Sequence, residues 1–322
     1  MYNEKIKQAF IESYTNKSSV KNTCVGVFNR FEKYEVEKDS DLCTMGTDEL
    51  QSIVSNMLGV RSGGHYAVTC LLKAYAKWCL ENGIDGATDS MMHVTDDNLE
   101  KIRKQMVSSP LHLQKYLDTL YYSENEKTVD DTFRCFFWLA FGGCEQDDVI
   151  RVLDSDVDFE DMVVRIDEIK EYPIYRESLK AFKNCVNLTS FVYKHPNYSK
   201  DILRDRVPGH QLLRGIKSEA NLDYIRAQIS ERARKAIKLG KTISNLSHYR
   251  VWLSGMFYRI YQYELAGFDP DFSELALKFM DNKGNKYNSE DNKANTKYKI
   301  AYKRALRDFE EDYNRWKAAF IK

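Results

Sequence analysis

Arginine suits phosphate because its planar fork donates two parallel hydrogen bonds to neighbouring oxygens. Arg250 stands in the run Ser247-His248-Tyr249-Arg250-Val251, just inside a helix whose pattern predicts a start near Ser247. The first turn of a helix already favours an anion through its free N–H groups and its dipole, so Arg250 is a candidate phosphate ligand. His65, Thr69, Lys73 and Lys77 form a second candidate group, at successive steps of four along a helix expected from Gly64 to Asn82. The major groove of duplex DNA admits one such helix. Lys17, Lys21 and Asn22, the cluster Arg204, Arg206, His210 and Arg214 around Pro208-Gly209, and the run Arg234, Lys235, Lys238 and Lys241 complete the set.

Other chemistry is poorly represented. None of the six His stands at a metal-ligand spacing, and the seven Cys are scattered singly with no CxxC, so no metal site is expected. Gly63-Gly64 and Gly142-Gly143 are isolated pairs rather than a nucleotide-binding loop, and no cofactor is expected. Asp147-Asp148 reads as a solvated turn and helix start rather than an acid/base pair. Isolated cysteines of this kind are mostly buried small hydrophobes in a reducing compartment. With no apolar segment long enough to span a bilayer, a soluble cytoplasmic protein is expected, with no membrane partner.

Lys+Arg and Asp+Glu number 48 each, which removes the simplest argument for a polyanionic partner. The distribution restores it. From Glu145 to Glu168 ten acids face two bases; from Arg232 to Arg250 six bases face none; from Lys278 to Lys322 twelve bases face seven acids. One acidic and two basic blocks fit a chain that presents one face to a polyanion.

The elements that must carry these residues are mainly helical. Val20, Cys24, Val27, Phe28, Phe31 and Tyr34 recur at helical spacing, and Thr47 caps a second helix with Asp48 and Glu49 in its first turn. The helix ending before Gly83 would bury Ala67, Leu71, Ala74 and Trp78. Ile84 to Val94 has no helical period and is expected to be a linker. Asp156 to Phe159, Met162 to Ile166 and Lys170 to Tyr175 alternate as three strands, with Pro173 at an edge. Helices resume from Glu177, from Ser218 to Leu239, from Ser247 to Leu265 and from Lys299 to Phe320. Two domains follow: residues 1–88, and residues 96–322 beyond a linker at 89–95.

Several features together resemble the tyrosine recombinase, or phage integrase, family. Lys17-Ser18-Ser19-Val20-Lys21-Asn22-Thr23 looks like the start of that family's helical core-binding domain, and Gly64-His65-Tyr66 through Lys77-Trp78-Cys79 like its last helix. Phe141-Gly142-Gly143-Cys144-Glu145-Gln146-Asp147-Asp148 is similar to the box G-L-R-x-x-E, and Asp156-Val157-Asp158 to the D-I-D that leads into the small sheet. This alignment puts Gly143 on the box glycine, Asp148 on its acid, and Glu145 where the first catalytic arginine belongs. In the second box, H-x-x-R-H, Arg250 is retained while Ser247 and Val251 replace the histidines. The third box has no clear counterpart in Phe279 to Gly284, and Tyr298 or Tyr302 would stand at the nucleophile position. Ser247 to Arg259, with the overall layout, further resembles the integrase-fold master repressors of SPβ-like prophages.

The resemblance implies a core-binding domain followed by a degenerate catalytic fold. A carboxylate at the phosphate clamp, about 4 Å from the anion at an effective dielectric near 20, opposes binding by roughly 4 kcal/mol, and each 1.4 kcal/mol is about tenfold in rate. The expectation is a non-enzymatic repressor that binds double-stranded phage operator DNA, as a homodimer where the site is palindromic, and answers to an antirepressor. Two alternatives stand beside it: an active recombinase in which Arg151 replaces the missing arginine, and an interaction protein that no longer binds DNA.

Overall fold

The computed structural model describes residues 1–57, 62–95, 99–120, 129–167, 170–193, 202–214, 221–240, 246–282 and 296–321. In space the chain forms two compact units, Met1–Ile102 together with Ala276–Lys322, and Arg103–Leu275. The expected second domain ran to residue 322; here the terminal helix is grouped with the first unit.

The first unit contains α1 (Glu4–Tyr14), α2 (Ser18–Lys38), α3 (Thr47–Met57), α4 (Ser62–Glu81) and, from the far end of the chain, a long final helix, Thr296–Phe320. The helical period of α2 is realised: Cys24, Val27, Phe28 and Phe31 are buried. Gly83 closes α4 with φ +62°, and Ile84 N–H donates to Cys79 O while Gly83 N–H donates to Leu80 O. This is a glycine-terminated Schellman end. The buried face of α4 is Leu71, Leu72, Tyr75, Ala76 and Cys79; Ala67, expected inside, is exposed. The segment Ile84 to Val94, expected as a linker, belongs to this core. Met91 and Val94 are buried in it, and Thr88 N–H donates to Cys43 O at 2.8 Å.

The second unit is built around two helices whose central turns are buried on all sides, as core helices are. Between α4 and these come α5 (Leu99–Gln105) and α6 (Pro110–Leu120); then α7 (Val129–Gly142) buries every residue from Cys135 to Phe141. The short α8 (Gln146–Val149) leads to β1 (Val157–Asp158), β2 (Val163–Ile166) and β3 (Lys170–Pro173), an antiparallel sheet in that order. Val157 pairs with Val164, and Val163 with Pro173 at the end of edge strand β3. Part of the acidic block is neutralised here, since Arg165 donates to Asp158 (2.6 Å), Asp161 (2.6 Å) and Glu171 (2.8 Å).

After α9 (Leu179–Val186) a second hairpin, β4 (Ser190–Tyr193) with β5 (Ile202–Asp205), was not anticipated. Then follow α10 (Leu222–Lys238), α11 (His248–Leu265) and α12 (Ser273–Asn282), and the final helix is α13. The expected start of α10 at Ser218 lies outside the described residues; its N-cap is Asn221, whose side chain accepts from the N–H groups of Asp223 and Tyr224. Helix α11 packs across α7 with Gly255 against the Phe141 backbone. Nothing but hydrogen fits there.

Candidate nucleic-acid interface

Gly143 explains its own place in the sequence. It ends α7 in a left-handed conformation, φ +101°, with Gly143 N–H donating to Ala140 O and Cys144 N–H to Leu139 O, both at 2.9 Å. A side chain would also strike Arg259, whose Nη2 lies 2.6 Å from where a Cβ would sit. The carbonyls left over at the helix end are taken by α11: Arg259 donates to Phe141 O at 2.7 Å, and Trp252 Nε1 to Gly143 O at 3.0 Å. Arg259 was not singled out in the sequence, because a single arginine on an aromatic helix carries no local signal.

Two residues on, Glu145 is the extended N-cap of α8, half-buried, and makes no side-chain cap bond. Its carboxylate bears electrostatically on Lys170, Tyr172 and Cys144. Asp148 is buried beneath, accepting from Lys170 Nζ at 2.6 Å, from Arg151 at 3.3 Å and from Tyr172 OH at 3.5 Å. Arg151 also holds Asp167 at 2.6 Å, so the arginine considered as a replacement clamp is engaged by two carboxylates. The site therefore sets two acids, Glu145 and Asp148, beside Lys170 and an Arg151 already held by Asp148 and Asp167.

On α11, Ser247 is the N-cap and accepts from Arg250 N–H at 3.3 Å. This is a physical reason for serine there. Arg250 occupies the first turn, half-buried, and burial lowers the affinity of its guanidinium for a proton. Val251 is fully buried core. Between them His248 packs on the Phe136 ring at 5.2 Å and hydrogen-bonds the Cys144 carbonyl.

Burial, with the nearby Arg226 charge, holds the His248 imidazole down to about 4 against an ordinary 6.5. The unfolded chain therefore takes up a proton that the folded chain refuses. Stability rises with pH between about 4 and about 6.5, and acidifying through that window removes about 3 kcal/mol. Urea midpoints of the parent and of His248→Phe, at about pH 4.5 and about pH 7.5, are expected to show a markedly shallower pH slope in the variant. Parallel slopes would contradict the assignment.

The basic candidates divide. Lys17 and Asn22 are exposed at the start of α2, and Lys21 beside them pairs with Glu12. On α4, Lys77 is exposed near Glu81 (3.7 Å) and Lys73 is half-buried. Thr69 is a correction: at 7% exposure it faces the interior, because a step of four drifts by about 40° per turn around the helix. The side chain of His65 and all of Lys241 lie outside the described residues.

Arg206 is a second correction, 6% exposed and hydrogen-bonded to the carbonyls of Cys185 and Leu188. Arg214 is likewise committed, to Asp154 at 2.5 Å and Gln211 O at 2.6 Å. Arg204, which lies on β5 rather than in the loop, and His210, in the loop that follows, remain exposed. Arg234, Lys235 and Lys238 are exposed on the last turns of α10, Lys235 paired with Glu231 at 2.8 Å. Cations there also complement the helix dipole. Tyr298 and Tyr302 lie on α13, half-buried, their rings stacked at 6.4 Å.

Residues 1–81 match the family model described as MrpR, N-terminal core-binding domain. No curated protein matches the chain. The MrpR-type match ends with the last residue of α4, and its span holds the exposed Lys17, Asn22 and Lys77. Helices α1 to α4 are thus similar to an MrpR-type N-terminal core-binding domain. They head a mainly helical chain with a small antiparallel sheet. Among the described residues no helix is long and apolar enough to cross a membrane.

Proposed function

We propose that the chain is a sequence-specific DNA-binding repressor, built on an integrase-type scaffold, that holds operator DNA without cutting it and keeps prophage lytic genes silent. The observation that carries this reading is Glu145, a carboxylate on the cap that follows the glycine-closed end of α7, where the resembled family has its first phosphate-clamping arginine. Arg250, in the first turn of α11, keeps one clamp. The MrpR-type core-binding match supports a DNA partner, and the likeness of Ser247–Arg259 to integrase-fold master repressors supports the regulatory role.

Footprinting on prophage DNA, followed by gel shifts on the protected fragment, tests it. Binding at about 100 mM salt that weakens steeply as salt rises is expected. Arg250→Ala and Lys17→Ala should each weaken it about tenfold and flatten the salt slope by about one unit. Absence of any protected site at that salt, or an affinity indifferent to salt, would overturn the proposal.

A further inference from the structure

The second unit leaves two apolar patches in water, and they carry opposite charge. One closes α11. Phe268 N–H donates to Tyr263 O at 3.1 Å and Gly267 N–H to Glu264 O at 3.0 Å, with Gly267 at φ +89°. The apolar clasp of this Schellman end sets the Phe268 ring 5.9 Å from that of Tyr263. The clasp hides little of either ring. Tyr263, Leu265 and Phe268 are 63%, 62% and 62% exposed, and Leu265 takes no part in it. Asp269 and Asp271, both exposed, follow directly.

The other patch closes α10. Ala233 and Ala236 belong to its buried side. At about 100° per residue, the outward side runs around the helix in the order Ile237, Arg234, Lys238, Lys235, Leu239, all of them exposed. Ile237 and Leu239, 42% and 69% exposed, thus edge a basic stripe. Lys235 holds Glu231 at 2.8 Å, which leaves the stripe net positive. Phosphate alone has no use for a leucine so exposed, whereas a protein contact buries it. Each patch stands exposed, so neither covers the other within one chain.

We propose that the α11 end of one copy of this chain docks on the α10 end of a second copy, joining them head to tail. The two patches match in kind and in sign. Tyr263, Leu265 and Phe268 supply the apolar centre against Ile237 and Leu239, and interfaces concentrate such side chains at their core with charges at the rim. Asp269 and Asp271 then face Arg234 and Lys238. Either patch against its own copy would set like charges together, which costs affinity. A contact between unlike patches is heterologous, so each joined pair keeps one patch of each kind free and can take on further copies. The contact needs no DNA and stands apart from the repressor reading.

Sedimentation velocity of the full chain without DNA tests it. Association that grows with concentration at about 50 mM salt and recedes at about 500 mM is expected. Leu265→Ser with Phe268→Ser removes the α11 patch, and Lys238→Gln with Leu239→Ser the α10 patch. Each pair of changes should weaken self-association about tenfold or more, with helix content by circular dichroism unchanged. Should a pair disturb folding, Asp269→Asn and Lys238→Gln replace them and give the same pattern in weaker form. Mixed together, the two variants retain one sound patch each, and should form a two-chain species and nothing larger. A parent that stays single up to about 200 μM at low salt, association that neither variant changes, or a mixture that stays single or grows past two chains would overturn the proposal. So would an α10 variant that loses affinity for a mixed-sequence duplex while its self-association stays intact, since that end would then be a phosphate contact.

Discussion

Gly255→Ala is expected to unfold the second unit much more readily than the parent chain. A Cβ at that position would lie 2.7 Å from the carbonyl carbon and 2.9 Å from the Cα of Phe141, and closer still to its oxygen. These are backbone atoms at the end of α7, so no side-chain rotation relieves the overlap; the two central helices must separate. Separation would also stretch the bond from Arg259 to Phe141 O and that from Trp252 to Gly143 O, the two contacts that satisfy the α7 terminus. Overpacking typically costs 1–3 kcal/mol. With two hydrogen bonds coupled to it, a loss of about 3 kcal/mol or more is expected. Urea denaturation followed by tryptophan emission measures it, and a change below about 0.5 kcal/mol would show that α7 and α11 are not in this contact.

Lys7→Met is expected to be comparably damaging to the first unit, through charge rather than volume. Lys7 is fully buried, with Nζ 2.5 and 2.7 Å from the Glu35 carboxylate oxygens, 2.8 Å from Tyr2 O and 3.5 Å from Asp41 Oδ2. Glu35 is fully buried too and also accepts from Leu42 N–H at 3.0 Å. Asp41 has neutral donors of its own, Tyr75 OH at 2.9 Å, Cys43 N–H at 3.0 Å and Asn3 at 3.2 Å. Burial already pushes the Glu35 carboxyl up despite the lysine beside it. Removing the cation strands a buried carboxylate, a change that costs about 3–5 kcal/mol. Replacing both partners, Lys7→Met with Glu35→Leu, should recover most of that loss, because an apolar pair of similar volume is often as stable as a buried ion pair. A double variant no better than the single one would mean that the ion pair is not the source of the effect.

How much of this was readable in the sequence depends on whether a residue's role is local. Gly83 and Gly143 announce helix ends because a left-handed C′ position admits glycine most easily, and Ser247 announces a helix start because its hydroxyl caps the next turn. The three short strands were visible in their alternation, and Pro173 at the edge in its missing N–H. Lys7 and Glu35 were not visible, since residues 28 positions apart meet only through the packing of α1 on α2. Thr69 and Arg206 misled for the same reason: both are polar types whose burial is decided by partners far along the chain. The β4–β5 hairpin carries no turn dipeptide that marks it. At the candidate interface the resemblance singled out Glu145 and Arg250, but nothing local in the sequence pointed to Arg259 or to the salt bridge from Lys170 to Asp148.

We propose that Glu145, standing where the resembled family has a clamp arginine, leaves a scaffold that grips a phosphodiester without breaking it. A suicide substrate, a footprinted duplex nicked so that any cleaved product diffuses away, tests this most directly. A shifted complex that disappears in denaturing detergent, with no covalent adduct in the parent chain, is expected. A protein–DNA adduct that survives detergent and is lost in Tyr298→Phe or Tyr302→Phe would contradict it.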